Sequence, residues 1–256
     1  MKIFFNDDLM DKKKIIIPII LPVIIFVIWF VITDVLGLIT TYTLPGPIEV
    51  CQSAYTIIFD GRLVKDTIDT LFKVFAGLIL ASIIAIPLGI VLGSSQTLED
   101  FCSIIISILR PIPPIAWIPF SILWFGIGTF PAIFIIFIGC VFPILVYTLD
   151  GVKRTPKVLI EAAQTLGAKS WDILYRITLP SALPYIVSGL KVGVSIALMC
   201  TISAEMIGSS SGLGYLILTA TNLFDTGTTV VGMLVIGIIG IILDYLFRKA
   251  QEQIFW

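Results

Sequence analysis

The sequence predicts an all-α, polytopic membrane protein with six transmembrane helices and one long polar loop between the fourth and the fifth. Three observations carry that prediction. Mean hydropathy is +1.09, and 58% of residues are hydrophobic against 13% charged, a balance typical of membrane chains. Uncharged runs long enough to cross a hydrocarbon layer, which takes ~20 residues as a helix, recur along the chain. Lys and Arg are also lopsided: eleven fall in the segments expected inside (Lys2, Lys12, Lys13, Lys14, Lys153, Arg154, Lys157, Lys169, Arg176, Arg248, Lys249), against Arg62 and Lys65 outside. The positive-inside bias then puts both termini in the cytoplasm.

Composition also removes function classes. The net charge of -1, with no lysine-rich tail or aromatic–basic alternation, offers nothing to nucleic acid. There is no histidine, and Cys51, Cys102, Cys140 and Cys200 are widely spaced. No metal site, no cofactor and no His-based acid–base chemistry is therefore expected. Only Cys51 is expected outside, so no intrachain disulfide is expected. Gly-Lys does not occur even as a dipeptide, so the sequence carries no phosphate-binding loop.

In chain order, Lys12, Lys13 and Lys14 precede an uncharged run from Ile15 to Thr33. Its length, and the lack of a small-x-small cleavage site, predict a retained first span rather than a signal peptide. Residues 34–67 read as a polar outer segment, extended at Pro45 and Pro47. The second span runs uncharged from Val74 to Leu98 with Pro87 expected to kink it. Gly77, Ala81, Ala85, Gly89 and Gly93 recur every four residues, the pattern that lets helices approach closely in lipid.

Between Arg110 and Asp150 lie thirty-nine uncharged residues, too few for two full spans and a turn. Either the third span is short or Arg110 enters the membrane. Pro111, Pro113, Pro114 and Pro119 leave helical carbonyls without donors, which at membrane depth is tolerated only beside protein or a water-filled cavity. A broken third helix near the cytosolic mouth is expected, with Arg110, Pro113 and Trp117 as candidate pathway or gate residues. Phe125–Gly128 reads as the outer turn and Phe130–Leu149 as the fourth span. The fifth runs from about Tyr185 to Ile207. Glu205 near its outer end is the remaining candidate, a gate residue, one half of a structural ion pair, or a hydrated interfacial group. Ser209–Ile217 follows, and Thr226–Leu243 is the last span, with Asp244 expected in solvent.

The polar stretch 150–184 holds five of the sixteen Lys and Arg residues. It reads as two short helices. Thr155 is an expected N-cap with Pro156 at the first helical position, and Gly167 sits where a left-handed C-terminal cap belongs. Leu159, Ala162, Ala163 and Leu166 share one face, and Lys157 and Glu161 are spaced to pair. Ser170 is set to cap the second helix, Trp171, Leu174 and Tyr175 share a side, Asp172 is spaced to pair with Arg176, and Pro180 is expected to end it.

Glu161, Ala162 and Ala163, then Gly167, then Ile177, Leu179 and Pro180 resemble in type and spacing the EAA loop of binding-protein-dependent ATP-binding cassette (ABC) importer permeases. The string LRPIPPIAWIPFSILWFGIG and the Leu-Pro-x-Pro segment at residues 44–47 are similar to the sulfonate, taurine and nitrate subfamily. Gly46 and Lys73 stand where Ser and Arg are common in relatives, and Ser209–Ile217 resembles an outer Gly-Leu-Gly segment with a re-entrant turn. The resemblance spans roughly residues 43–247. It implies a non-enzymatic transport subunit that works as a homodimer in the inner membrane. Two cytosolic ATP-binding subunits would seat on the coupling loops, and an extracytoplasmic solute-binding protein would deliver sulfonate, taurine, nitrate, bicarbonate or a vitamin precursor. Residues 1–67 then form the tail, first span and outer loop, 68–250 the five-span transport domain, and 251–256 a tail. The rival is an ion-gradient-driven secondary transporter, which calls for paired intramembrane carboxylates and an inverted repeat; no repeat is visible.

Overall fold

The computed structural model describes residues 20–254. Lys2, the triple lysine at 12–14 and the start of the run from Ile15 lie outside the described residues. An apolar helix α1 (Ile20–Val35) ends in a π turn and is tied to the next segment by Trp29 Nε1 donating to the Pro45 carbonyl at 3.0 Å. The expected extended backbone holds only up to Gly46, with φ -77° and ψ 158°; from Pro47 on the segment is helical. Pro47 takes the first position of α2 (Pro47–Phe59), where its missing N–H costs nothing. Gly46 before it packs on Asp34, and a Cβ there would fall 2.3 Å from the Asp34 carboxylate.

The core is three helices. α3 (Arg62–Ser94) and α6 (Thr129–Lys153) lie parallel, with Gly77 against Ile136, Gly89 against Thr148 and Gly93 against Val152 in constant register. α9 (Leu179–Gly208) lies antiparallel to α6 on its other side, with Gly151 against Tyr185 and Gly189 against Tyr147. The small-residue stripe is thus the contact surface itself: Ala81 and Ala85 are fully buried between the helices. On the opposite side of α3, Ile83 and Val91 are exposed, as lipid-facing residues are. α3 starts well before the uncharged run, so Arg62, Lys65 and Asp66 belong to the helix and the boundary expected at 67/68 falls inside it. Pro87 is accommodated without interrupting the helix.

Between α3 and α6 an unforeseen helix, α4 (Gln96–Leu109), precedes a short 3-10 turn (Pro114–Trp117) and α5 (Ile118–Phe125). The two halves meet at 83°. The break is real, but not at the mouth of the bundle: Pro114 packs against Gly139, halfway along α6. Gly126 and Gly128 make the turn into α6 with φ of 75° and 147°, and the Gly128 N–H donates to the Gly208 carbonyl at 2.8 Å. After α9 come α10 (Leu213–Asn222) and α11 (Thr226–Ile254). α11 runs past 250, where a tail was expected to begin, and Asp244 is paired with Lys191 at 3.1 Å rather than simply solvated. Among the described residues, four helices are long and apolar enough to span a membrane, and the bent pair makes a fifth.

Substitutions on the stripe test this packing. Gly89→Leu puts side-chain atoms where Thr148 Cβ and the Leu145 carbonyl already stand, 2.7 and 2.9 Å from a Cβ, and is expected to lower stability by about 1–3 kcal/mol. Gly237→Ala, with nothing within 4 Å, should leave the melting temperature in detergent unchanged or slightly raised.

Candidate functional site

The polar loop folds as a helical handle. α7 (Lys157–Thr165) starts after Pro156, which is the N-cap itself; Thr155, expected in that role, turns inward and its hydroxyl is buried without a partner. At the other end Gly167 has φ +80°, its N–H donates to the Gln164 carbonyl at 2.9 Å, and the Ala168 N–H donates to the Ala163 carbonyl at 3.0 Å. Those two bonds are a Schellman cap, which requires a residue with φ > 0. Lys157 and Glu161 form no ion pair.

Beyond the cap, α8 (Ser170–Ile173) does not end at Pro180. It continues through a π turn, Leu174–Thr178, directly into α9, so Ser170–Gly208 is one rod of 39 residues. The Leu179 N–H reaches the Leu174 carbonyl, five residues back. The wide turn therefore makes room for the Pro180 ring just where an α register would demand a donor that proline lacks. Ser170 makes no cap hydrogen bond, since Lys169 is the N-cap. The Asp172–Arg176 pair forms at 3.8 Å, and Trp171 stacks on Tyr175 with ring centroids 5.9 Å apart.

The handle is apolar where it faces out. Val158 is 73%, Leu166 88% and Trp171 69% exposed. Glu161 and Ala162 are exposed beside them, and Ala163 is half-buried. Behind this face the loop is anchored: Leu179 packs on Val152, Ala182 and Ile186, Ile177 is half-buried, Pro180 is exposed, and the Arg154 guanidinium lies 5.4 Å from the Tyr185 ring centre.

At the far end of the bundle sits a buried polar cluster. Glu205, with no exposed surface, accepts from Lys73 Nζ at 2.9 Å, from the Thr70 hydroxyl at 3.0 Å and from the Gly214 N–H at 2.8 Å. The Lys73 ammonium also donates to Ser209 Oγ at 2.9 Å and to the Ser211 carbonyl at 2.6 Å, which uses all three of its protons. The Leu213 N–H donates to Thr70 Oγ1 at 2.8 Å and the Gly212 N–H to Asp66 Oδ1 at 3.1 Å. Three free N–H groups at the start of α10 are thus satisfied by side chains of α3 and α9, with two carboxylates at the positive end of its dipole. Gly212 and Gly214 are required there. A Cβ would fall 2.1 Å from Glu205 Oε1 at the first and 2.6 Å from the Ile202 carbonyl at the second. Of the three readings of Glu205, this geometry is the structural ion pair; the hydrated interfacial reading is excluded by its burial.

Sequence reasoning named Glu205 but missed its partners. The signal was present: Asp66, Thr70 and Lys73 are spaced four and three apart on the face that continues as Gly77, Ala81 and Ala85. Arg110, Pro113 and Trp117 lie together at the α4–α5 bend, far from Glu205 in the chain and outside its cluster. Arg110 and Pro113 are exposed, and Trp117 is half-buried.

A bundle of apolar spanning helices with a buried polar clasp at one end and an exposed apolar handle at the other is the architecture of a membrane transport subunit. Residues 85–254 match the binding-protein-dependent transport system inner membrane component family, and the chain belongs to it. It is a multi-pass inner-membrane permease. An ABC transporter permease protein of Methanocaldococcus jannaschii is 48% identical over 78% of this chain and 75% of its own length. The taurine transport system permease protein TauC of Escherichia coli is 34% identical over 86% and 82%, and the nitrate import permease protein NrtB of a Synechocystis strain 30% identical over 78% and 76%. Among solved structures, a chain of the MetNI methionine ABC transporter in an inward-facing conformation shares the fold, with a TM-score of 0.70 and 21% identity over 77% of this chain and 98% of that one.

Removing Lys73 strands a buried carboxylate. Lys73→Met is expected to cost about 3–5 kcal/mol, read as an early melting transition in detergent, and Lys73→Arg should lose less.

Proposed function

We propose that this chain is the importer permease for a small solute of the sulfonate, taurine, nitrate, bicarbonate or vitamin-precursor class. Two copies form the pathway, two cytosolic ATP-binding subunits grip the handles, and an extracytoplasmic binding protein delivers the solute. Both termini lie in the cytoplasm, with α1 as the first of six spans. The observation that carries this reading is the exposed apolar surface of α7 and α8, on a loop otherwise rich in charge. Lipid does not require such a surface in a polar loop, whereas a protein cleft would bury it.

On this reading ATP-driven closure of the partner subunits draws the two handles together and opens the bundle outward, and hydrolysis reverses the motion. Glu161, Ala162, Ala163 and Gly167 receive the force. Ile177, Leu179 and Pro180 join the handle to the long rod, whose continuity across the π turn supports direct transmission. An ion-gradient-driven mechanism is not favoured: it needs free intramembrane carboxylates, and Glu205 is committed to Lys73, Thr70 and the start of α10.

Gly167→Pro cannot adopt φ +80°, and Glu161→Arg reverses a charge on the exposed face. Both variants are expected to reach the membrane yet detach or uncouple the ATPase, abolishing solute-stimulated ATP hydrolysis in the reconstituted complex. Wild-type stimulation in either would remove the coupling role.

A further inference from the structure

We propose that the cavity between the handle and the ends of the bundle helices is a binding site for a phosphate group, free in solution or carried on a phospholipid headgroup. The cavity measures about 390 Å³, within the range of small-molecule sites. One wall is a face of α7, where Lys157, Ile160 and Gln164 follow at spacings of three and four. The opposite walls come from Ser94 at the end of α3, Lys153 at the end of α6, and Thr178 on the long rod. Four elements therefore meet around it. The existence of this site does not depend on the handle engaging an ATPase.

Three observations select an anion rich in oxygens. The first is an unmet hydroxyl. Thr155 lines the cavity and is only 4% exposed, and its Oγ1 is buried with no hydrogen-bond partner, a state that costs free energy until a partner arrives. Thr178, buried on the same cavity, makes no side-chain hydrogen bond among the described residues either. A helical threonine normally donates to the carbonyl four residues back, and here the π turn directs that carbonyl, of Leu174, at the Leu179 N–H. The second is charge. Lys153 and Lys157 line the cavity and no carboxylate does. Lys157 has no ion-pair partner among the described residues, and Lys153 gives one of its three ammonium protons to Glu99, outside the lining. The third is the start of α7 itself. No side chain caps it and no acidic residue lies in its first turn, so the positive end of its dipole is unopposed beside Thr155 and Lys157. Two ammonium groups, a buried hydroxyl and an uncapped helix start complement a tetrahedral oxyanion that brings several acceptors at once.

The test uses the full chain purified in dodecyl maltoside. Isothermal titration with potassium phosphate, against potassium chloride of equal ionic strength, reads the free ion. Native mass spectrometry after exposure to phosphatidylglycerol, and to diacylglycerol, which lacks the phosphate, reads the headgroup. The expected result is saturable binding of phosphate, of phosphatidylglycerol, or of both, with no retention of diacylglycerol. Binding of phosphate alone assigns the free ion, and retention of phosphatidylglycerol alone assigns the lipid. Lys157→Ala should weaken that binding about tenfold to a hundredfold, the worth of one charge-assisted hydrogen bond. Thr155→Val keeps the shape and removes the hydroxyl. It should weaken binding about threefold to tenfold, yet leave the melting temperature of the ligand-free protein unchanged or higher, because no existing hydrogen bond is lost. Wild-type affinity in either variant, retention of diacylglycerol equal to that of phosphatidylglycerol with no binding of phosphate, or no binding of either phosphate probe overturns the proposal and leaves the permease reading untouched.

Discussion

The bundle depends on one buried contact, the Lys73 ammonium against the Glu205 carboxylate. Burying two charges is costly, and the attraction between them offsets that cost only when every remaining proton and lone pair is used. Here Ser209, Ser211, Thr70 and the first turn of α10 use them. The contact joins α3 to α9 at the point where both must also hold α10, so three elements share one electrostatic solution. In a lipid environment, where apolar residues gain little by leaving the solvent, such a contact and the close approach along Gly77–Gly89 do what a hydrophobic core does in water.

The two ends of the molecule are consequently unlike. At the Gly208 end, side chains from distant parts of the chain interlock, and two glycines are pressed so close to Glu205 and the Ile202 carbonyl that no side chain could be added. At the Lys153 end the handle is held by the Glu99–Lys153 ion pair, the Arg154–Tyr185 contact and the small cluster around Val152. On the coupling role proposed for the handle, this asymmetry provides a closed frame to preserve the helix register and a lightly held extremity to receive the push.

Much of this could be read from residue order alone, and what could not has physical causes. The small-residue stripe, the left-handed position at Gly167 and the turn at Gly126 and Gly128 are local rules with few exceptions, and all three hold in the structure. The errors came where local signals were overridden. Pro47 reads as extended until its place at a helix start is seen, and Pro180 reads as a stop unless a π turn intervenes. Thr155 was a plausible cap but was drawn inward. Glu205 stood out because charge is rare in such a run, whereas Lys73 sits where the polar part of α3 gives way to the apolar part and looked like an ordinary flank. α4 escaped notice because its apolar stretch is shorter than a span and adjoins the proline cluster.

The π turn at Leu174–Thr178 also bears on how chains of this plan can vary in length. A wide turn absorbs one surplus residue locally. Loss of one residue there would restore ordinary α winding without swinging Trp171 and Tyr175 to a new bearing. Loss of one residue anywhere between Pro184 and Gly208 would instead rotate the whole protruding end by about 100° relative to the rest. Insertions and deletions in the long rod should therefore gather at that single loose coil, leaving the orientation of the aromatic pair inherited intact.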